Sequence, residues 1–376
     1  MNISMLYLDH AATTPMRPAV WHAMEPFVAE IFGNSSGTHG ESRRAKNALE
    51  EARERIATVL GARPQEIVFT GGGTEADNLA VQGAALADGR RGGVVTSAVE
   101  HEAVLETAAF VERIGCPVHL VGVDSSGRVE PGAMAETIDA STAVVSLMAA
   151  NNETGVIQPV AETARLVKER FPGVLVHTDA VQAFSSEDVD VDDWQVDLLS
   201  LAAHKFGGPK GVGVLYVRSG VQLEPVLHGG GQELGRRSGT SNVMGAVGMA
   251  VAAEEAAADR ELFRRIVASE RTVFEQRLAA ALGARPTVDE PRLPQHAHLS
   301  LPGTNNETML VKLDRSGLAA SAGSACQSGA VTTSHVLRAM GLTPNEARTV
   351  LRFTFGWTTR PGDGERAAAL VAGVVR

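Results

Sequence analysis

Apolar positions along the chain follow two rhythms that take turns. Short apolar runs bounded by glycine, serine or aspartate alternate with stretches in which apolar residues return at helical spacing. The runs at Glu66–Thr70, Gly93–Ser97, Pro117–Val121, Thr142–Met148, Val174–His177, Val196–Leu201 and Gly213–Val217 predict strands. Leu6–Asp9 reads as a short extended start. Helical spacing predicts helices from Pro18 to Phe32, from a Ser42 cap to about Leu60, from the Gly71–Gly73 turn through Leu86, from His101 to Ile114 and from Val160 to Arg170. Strands and helices in turn imply an α/β fold with a mostly parallel sheet covered by helices, and ligands at the carboxyl ends of its strands.

The pattern changes after Ser241. An alanine-rich helix runs to about Leu282, a proline-containing connection spans Gly283 to Gln295, and shorter elements follow, among them an alternating strand from Val350 to Gly356. We expect a large domain over residues 16–257. A smaller α+β domain is expected from residues 258–376 together with 1–15, the first residues of the chain returning to it.

Composition narrows the function classes. The 376 residues are 44% hydrophobic and carry a net charge of -10 with no offsetting basic block. This argues against nucleic acid or an anionic membrane as the main partner and favours small molecules or proteins. The first residues have no basic segment or cleavage site, and no apolar run is long enough to span a bilayer, so a cytoplasmic location is expected. In that compartment the two cysteines, Cys116 and Cys326, read as thiols and not as a disulfide framework.

Several residues invite a chemical reading. Lys205 lies between an apolar strand and the glycine-rich turn Phe206–Gly211, where apolar walls and a second cation make an amine a usable nucleophile toward an aldehyde. Strand, Gly71-Gly72-Gly73-Thr74 and helix form a geometry suited to a phosphate, although Thr74 and Asp77 also fit a capping-box spacing. His101, after the predicted strand Gly93–Ser97, suits stacking on a flat ring or proton transfer, or simply a backbone bond at a helix start. Asp179, beyond an apolar strand, suits a pyridinium nitrogen or a helix N-cap. A second glycine-rich, cationic loop spans His228–Thr240. Arg352, inside an apolar strand, calls for a planar carboxylate, either a ligand's or that of an internal Asp or Glu. Small residues surround Cys326, which favours a reactive exposed thiol, whereas Cys116 beside Pro117 and Val118 reads as a buried hydrophobe.

In order along nearly the whole chain, Tyr7–Pro15, Gly73-Thr74-Glu75, Glu100-His101, Asn151-Asn152-Glu153, Asp179–Gln182, His204-Lys205, Arg237–Thr240, Ser324-Ala325-Cys326 and Arg352 resemble the cysteine desulfurases of the NifS/IscS kind, group I, within the class V pyridoxal-phosphate enzymes. The resemblance implies the fold type I transferase architecture and pyridoxal 5'-phosphate as cofactor. Lys205 would hold the cofactor, Asp179 would pair with its ring nitrogen and His101 would stack on the ring. Thr74, Gly73 and His204 would serve the phosphate, Gln182 and Asn152 the ring hydroxyl side, and Thr240 the phosphate of a neighbouring subunit, which implies a homodimer. Arg352, Asn152 and Asn34 would hold L-cysteine, and Cys326 would take its sulfur as a persulfide, leaving L-alanine, for delivery to an acceptor protein such as an iron–sulfur scaffold or a thiolation partner. No metal is implied. Two departures stand out: Ala202 occupies the place of a serine that usually bonds the phosphate, and the sequence ends at Arg376 without the longer tail that docks the scaffold. Other class V activities, an aminotransferase or a selenocysteine lyase, and a non-enzymatic sulfur carrier compete with this reading. The carrier leaves Lys205, Asp179 and His101 without a purpose, and a Cys–His acyl hydrolase leaves Lys205 and Asp179 unexplained.

Overall fold

The computed structural model describes residues 5–323 and 333–375. Twelve strands occur among them: β1 (Leu6–Tyr7), β2 (Ile67–Thr70), β3 (Gly93–Ser97), β4 (Val118–Val121), β5 (Thr142–Ser146), β6 (Leu175–Asp179), β7 (Leu198–Ala202), β8 (Gly213–Val217), β9 (Arg285–Pro286), β10 (His296–Ser300), β11 (Leu318–Ala319) and β12 (Val350–Thr354). Seven form one sheet in the order β2-β8-β7-β6-β5-β3-β4. Its pairs are parallel from β4 to β7, and β8 runs antiparallel to both β7 and β2. This is the mostly parallel, helix-covered sheet that the alternation predicts.

Period-2 burial explains the layers. Val94, Val144, Leu198 and Leu215 point to the face covered by the helix Gly73–Leu86, where Ala76, Leu79 and Ala80 meet them. Val95, Val145, Val176, Leu199 and Val214 point to the other face and join a larger core with the helix Gly40–Leu60. Ala45, Leu49, Ala52, Ile56 and Leu60 form the buried stripe of that helix.

A second core forms around an antiparallel sheet, β12-β10-β9, and the parallel pair β1-β11. Phe274, Phe353 and Phe355 meet there edge to face. The helix Val243–Leu282, 40 residues and about 60 Å long, serves both cores. Its first half buries Ala246, Met249, Ala250 and Ala253 against the large sheet, and its second half buries Val267, Phe274 and Leu278 in the second core.

Three local expectations are corrected. The helix expected over Pro18–Phe32 is two, Pro18–Met24 and Pro26–Ala29, because Pro26 has no N–H to continue the ladder. Ser42 does not cap the next helix: the His39 ring accepts its N–H, and Ser42 lies buried inside the first turn. Nor does Thr74 cap. The N-cap of the helix Gly73–Leu86 is Gly72, and there is no side-chain cap bond there.

Close packing behind that helix start is set by Gly213 on β8. A Cβ built there would lie 2.6 Å from both the Gly72 carbonyl carbon and the Leu201 oxygen, both backbone atoms that cannot swing away. Gly213→Ala should therefore cost about 1–3 kcal/mol, read as a lowered denaturant midpoint at unchanged slope. A wild-type midpoint would show that the backbone there has room to spare.

Candidate active site

The carboxyl ends of β7, β6, β5 and β3 are neighbours in the sheet, and a strap of the first residues, from Asp9 to Arg17, is bound to the segments that follow β6 and β7. Thr14 donates both its N–H (2.9 Å) and its hydroxyl (2.8 Å) to the His204 carbonyl, and Arg17 N–H reaches the Gly207 carbonyl at 2.9 Å. On its other side, Ala11 N–H donates to Thr354 Oγ1 at 2.9 Å. Lys205 ends the helical turn that follows β7, and its Nζ donates to the carbonyl oxygens of Ala11 (2.5 Å) and Ala12 (3.0 Å). The lysine is half-buried and lines a small cavity with Ala11, Gln182 and His10. Gln182 Nε2 donates to the same Ala11 carbonyl at 2.9 Å.

Beside the strap opens a cleft of about 710 Å³ lined by Thr13, Gly71, Gly73, Thr74, His204 and Lys210. The first N–H groups of the helix Gly73–Leu86 have no intrahelical partner and carry partial positive charge. Glu75 takes the Gly71 N–H at 2.8 Å and is itself gripped by Arg237 at 2.7 Å, which fixes the turn. His204 Nδ1 sits 3.1 Å from Thr13 Oγ1. Burial, then the neighbouring Lys205 and Lys210, push His204 down to about 4, so the ring is neutral near pH 7. A Cβ on Gly73 would meet Val181 Cγ2 at 3.1 Å and Ala202 Cβ at 3.4 Å. The turn thus presents backbone, not side chain, to the cleft, and Ala202 backs it with a methyl.

Asp179 closes β6, is buried, and accepts the Val181 N–H at 2.8 Å. Burial raises its pKa, while His101, that N–H and Lys205 pull the other way. His101 is the N-cap of the helix Glu102–Arg113, its Nδ1 accepting the Ala103 N–H at 3.1 Å. It therefore makes the backbone bond foreseen as one alternative while facing Asp179.

Arg352 on β12 is buried and reaches the same region from the second sheet. Nη1 donates to the Asn152 carbonyl and Nη2 to Asp9, each at 2.8 Å. Of the two partners foreseen for this arginine, the internal carboxylate is present, with Asp9 in the strap as its owner. The other sequence-derived residues stand apart. Thr240 and Asn34 are exposed and line none of this cleft, Asn34 accepting the Ser36 N–H at 2.9 Å. Cys326 falls outside the described residues. Cys116 is buried, and burial pushes its thiol up.

Sequence reasoning missed six participants. Asp9 and Thr13 lie in a quoted motif without a role, and the Ala11 and Ala12 carbonyls have no side-chain signature. Glu100, next to His101, is buried, with Oε1 accepting from Ser97 Oγ (2.7 Å) and Met148 N–H (2.9 Å) and Oε2 without a hydrogen-bond partner among the described residues. His177 stands two residues before Asp179 on the same strand face, a period-2 signal that was available. Burial holds Glu100 up to about 8. The unfolded chain releases this proton near 4.5 and the native state near 8, so between these values the native state binds more protons and stability falls as pH rises. Glu100→Gln should gain on the wild type across that window, by on the order of a few kcal/mol, in unfolding midpoints measured at successive pH values. A difference that does not vary with pH would show that Glu100 is ionised throughout.

The class V aminotransferase family model matches residues 6–362. A protein of Dictyoglomus turgidum named "Cysteine desulfurase IscS" is 42% identical over 95% of this chain and 91% of its own length. One of Bacillus subtilis named "Putative cysteine desulfurase IscS 1" is 42% identical over 99% of this chain and 98% of its own. A solved structure titled "NIFS-LIKE PROTEIN" superposes with a TM-score of 0.92 at 36% identity, covering 99% of both chains. With its lysine at the end of β7, its acid at the end of β6 and its glycine cup between them, the chain belongs to the class V aminotransferase family, among the pyridoxal-phosphate-dependent cysteine desulfurases of the NifS/IscS kind.

Proposed function

We propose that the chain takes sulfur from L-cysteine onto Cys326, releases L-alanine, and passes the sulfur to an acceptor protein. The observation that carries this is the meeting of Lys205, Asp179, His101 and the Gly73–Thr74–His204 cup at neighbouring strand ends, in a chain whose relatives are named cysteine desulfurases.

The residues present fit pyridoxal phosphate. Gly73 leaves a cradle that a Cβ would crowd, free helix N–H groups and the Thr74 hydroxyl offer donors to a phosphate, and neutral His204 adds a ring nitrogen. Asp179 supplies the carboxylate for the ring nitrogen, and His101 the flat surface beside the ring. Gln182 and Asn152 serve the ring hydroxyl side. When bound, the cofactor supplies an aldehyde for the substrate amine and an electron sink for the pair left at Cα. Lys205 holds the cofactor at rest and then moves the Cα proton with its Nζ.

Arg352 receives the substrate carboxylate with its planar fork, aided by Asn152, whose carbonyl already meets Nη1. Cys326 attacks the sulfur of the substrate as thiolate: its S–S bond forms as the substrate's C–S bond breaks, the electron pair passes to the substrate carbon, and protonation of that carbon gives alanine. Cysteine and a thiol become alanine and a persulfide, with no external oxidant. Thr240, exposed on its own chain, gives its hydroxyl to the phosphate held by a second copy in a homodimer. The acceptor we propose is a cytoplasmic protein, either a scaffold for iron–sulfur cluster assembly or a thiolation partner. No helix among the described residues is long and apolar enough to cross a membrane.

Cys326→Ser should keep its cofactor and still change its absorption on L-cysteine addition, yet stop turning over, because a hydroxyl is not ionised near neutral pH and attacks sulfur poorly. In the wild type, mass spectrometry after L-cysteine treatment should find one added sulfur on the Cys326 peptide and none on that of Cys116. Release of sulfide and alanine by the variant at the wild-type rate would make Cys326 a bystander.

A further inference from the structure

Under the site, the face of the sheet that meets the helix Gly73–Leu86 is apolar at Val144 and Leu198. One step further along the strands the same face turns polar. Ser146 on β5, His177 on β6 and Ser200 on β7 sit side by side there, all fully buried. His177 Nδ1 is 2.8 Å from Ser146 Oγ, and its Nε2 is 3.0 Å from Ser200 Oγ. Asp77 descends from the helix to close the row. Burial raises its pKa against the pull of the Ser200 hydroxyl, which lowers it, and its Oδ1 lies 3.6 Å from His177 Nε2 without a hydrogen-bond partner among the described residues.

Asp179 comes next on the same strand face as His177, and Glu100 approaches from beyond β3. The three carboxyls act on one another electrostatically. Their surroundings differ. Asp179 has the Val181 N–H, His101 and Lys205, whereas the charged groups that act on Asp77 are Asp179 and Glu100, both acids. Buried carboxyls that act on one another do not all ionise: Glu100 keeps its proton up to about 8, and of the two aspartates the proton stays with the one that lacks positive neighbours. We propose that Asp77 is held as a neutral carboxylic acid at the head of the Asp77–Ser200–His177–Ser146 row, leaving Asp179 as the anion that meets the cofactor ring nitrogen.

One ordering of hydrogens then satisfies the row. The Asp77 hydroxyl donates to Ser200 Oγ, the Ser200 hydroxyl to His177 Nε2, and His177 Nδ1–H to Ser146 Oγ. Burial, which pushes His177 down to about 3, keeps its ring neutral as this ordering requires. An ionised Asp77 would instead leave an unbonded anionic oxygen at Oδ1, far costlier than an unbonded carbonyl oxygen. Asp77 touches neither substrate nor cofactor in this arrangement. It is a positioning residue acting through Asp179, and its proposed purpose rests on the role given to Asp179 above.

The test is infrared spectroscopy of the full-length holoenzyme with isotope-labelled aspartate carboxyls, together with NMR of an isotope-labelled ring nitrogen in the cofactor. The wild type should show the carbonyl band of a protonated aspartic acid. Asp77→Asn should lose that band while the ring nitrogen keeps its protonated shift, since the amide is a neutral isostere. Asp179→Asn should keep the band and move the nitrogen shift. If Asp77→Asn does not fold, Ser200→Ala should displace the band without removing it. A wild-type spectrum with no such band, or a band that Asp179→Asn removes, overturns the proposal. An unmoved nitrogen shift in Asp179→Asn would instead overturn the role of Asp179, and the band would still decide the state of Asp77.

Discussion

Two backbone carbonyls hold the amine on which this site turns. Ala11 and Ala12 lie in a strap that belongs to neither sheet, and their oxygens fix Lys205 Nζ at 2.5 and 3.0 Å. The strap is itself held from both sides, by His204 and Gly207 after β7 and by Thr354 and Arg352 on β12. Each such bond contributes only about 1 kcal/mol to stability. Together they do something burial alone cannot: they set the lysine, the Gln182 amide and the arginine fork in one frame spanning two cores. Displacing the strap would disturb all three.

The sheet beneath gives up stability for the same site. Five neighbouring positions that could have continued an apolar face carry Ser146, His177, Ser200, Asp179 and, from the helix, Asp77, all buried. Buried polar groups cost free energy unless paired, and those of this row are paired mainly with one another. The polar positions fall at the carboxyl ends of β5, β6 and β7, where a doubly covered parallel sheet opens toward its ligand. Replacing the row with apolar residues would give a better core and an undirected Asp179.

Much of this was legible in the chain. Apolar runs gave the seven strands of the large sheet because all but the edge strand β4 are buried on both faces, and glycines marked the turns where the backbone itself must approach a ligand. The lysine after β7 and the acid at the end of β6 stood out because charged residues are rare at the ends of such runs. What was hidden was hidden for physical reasons. The acceptors for Lys205 are carbonyls, which every residue has. Asp9 and Arg352 are 343 positions apart, so no local pattern joins them. Asp77 fitted a capping box three residues after Thr74, and only the packing of the helix on the sheet turns it inward to Ser200. Pro26, by contrast, is visible in the chain, and it splits a stretch whose apolar spacing predicts one helix.

The central claim is that the Lys205 amine, in the frame set by the strap, is the one that carries the cofactor. Borohydride reduction of the yellow holoenzyme, proteolysis and fragment-resolved mass spectrometry test it directly. The account predicts a single pyridoxyl group on Lys205 and an unmodified Lys210, five residues further on in the same turn. A pyridoxyl group on Lys210 or any other lysine, or none on Lys205, would contradict it.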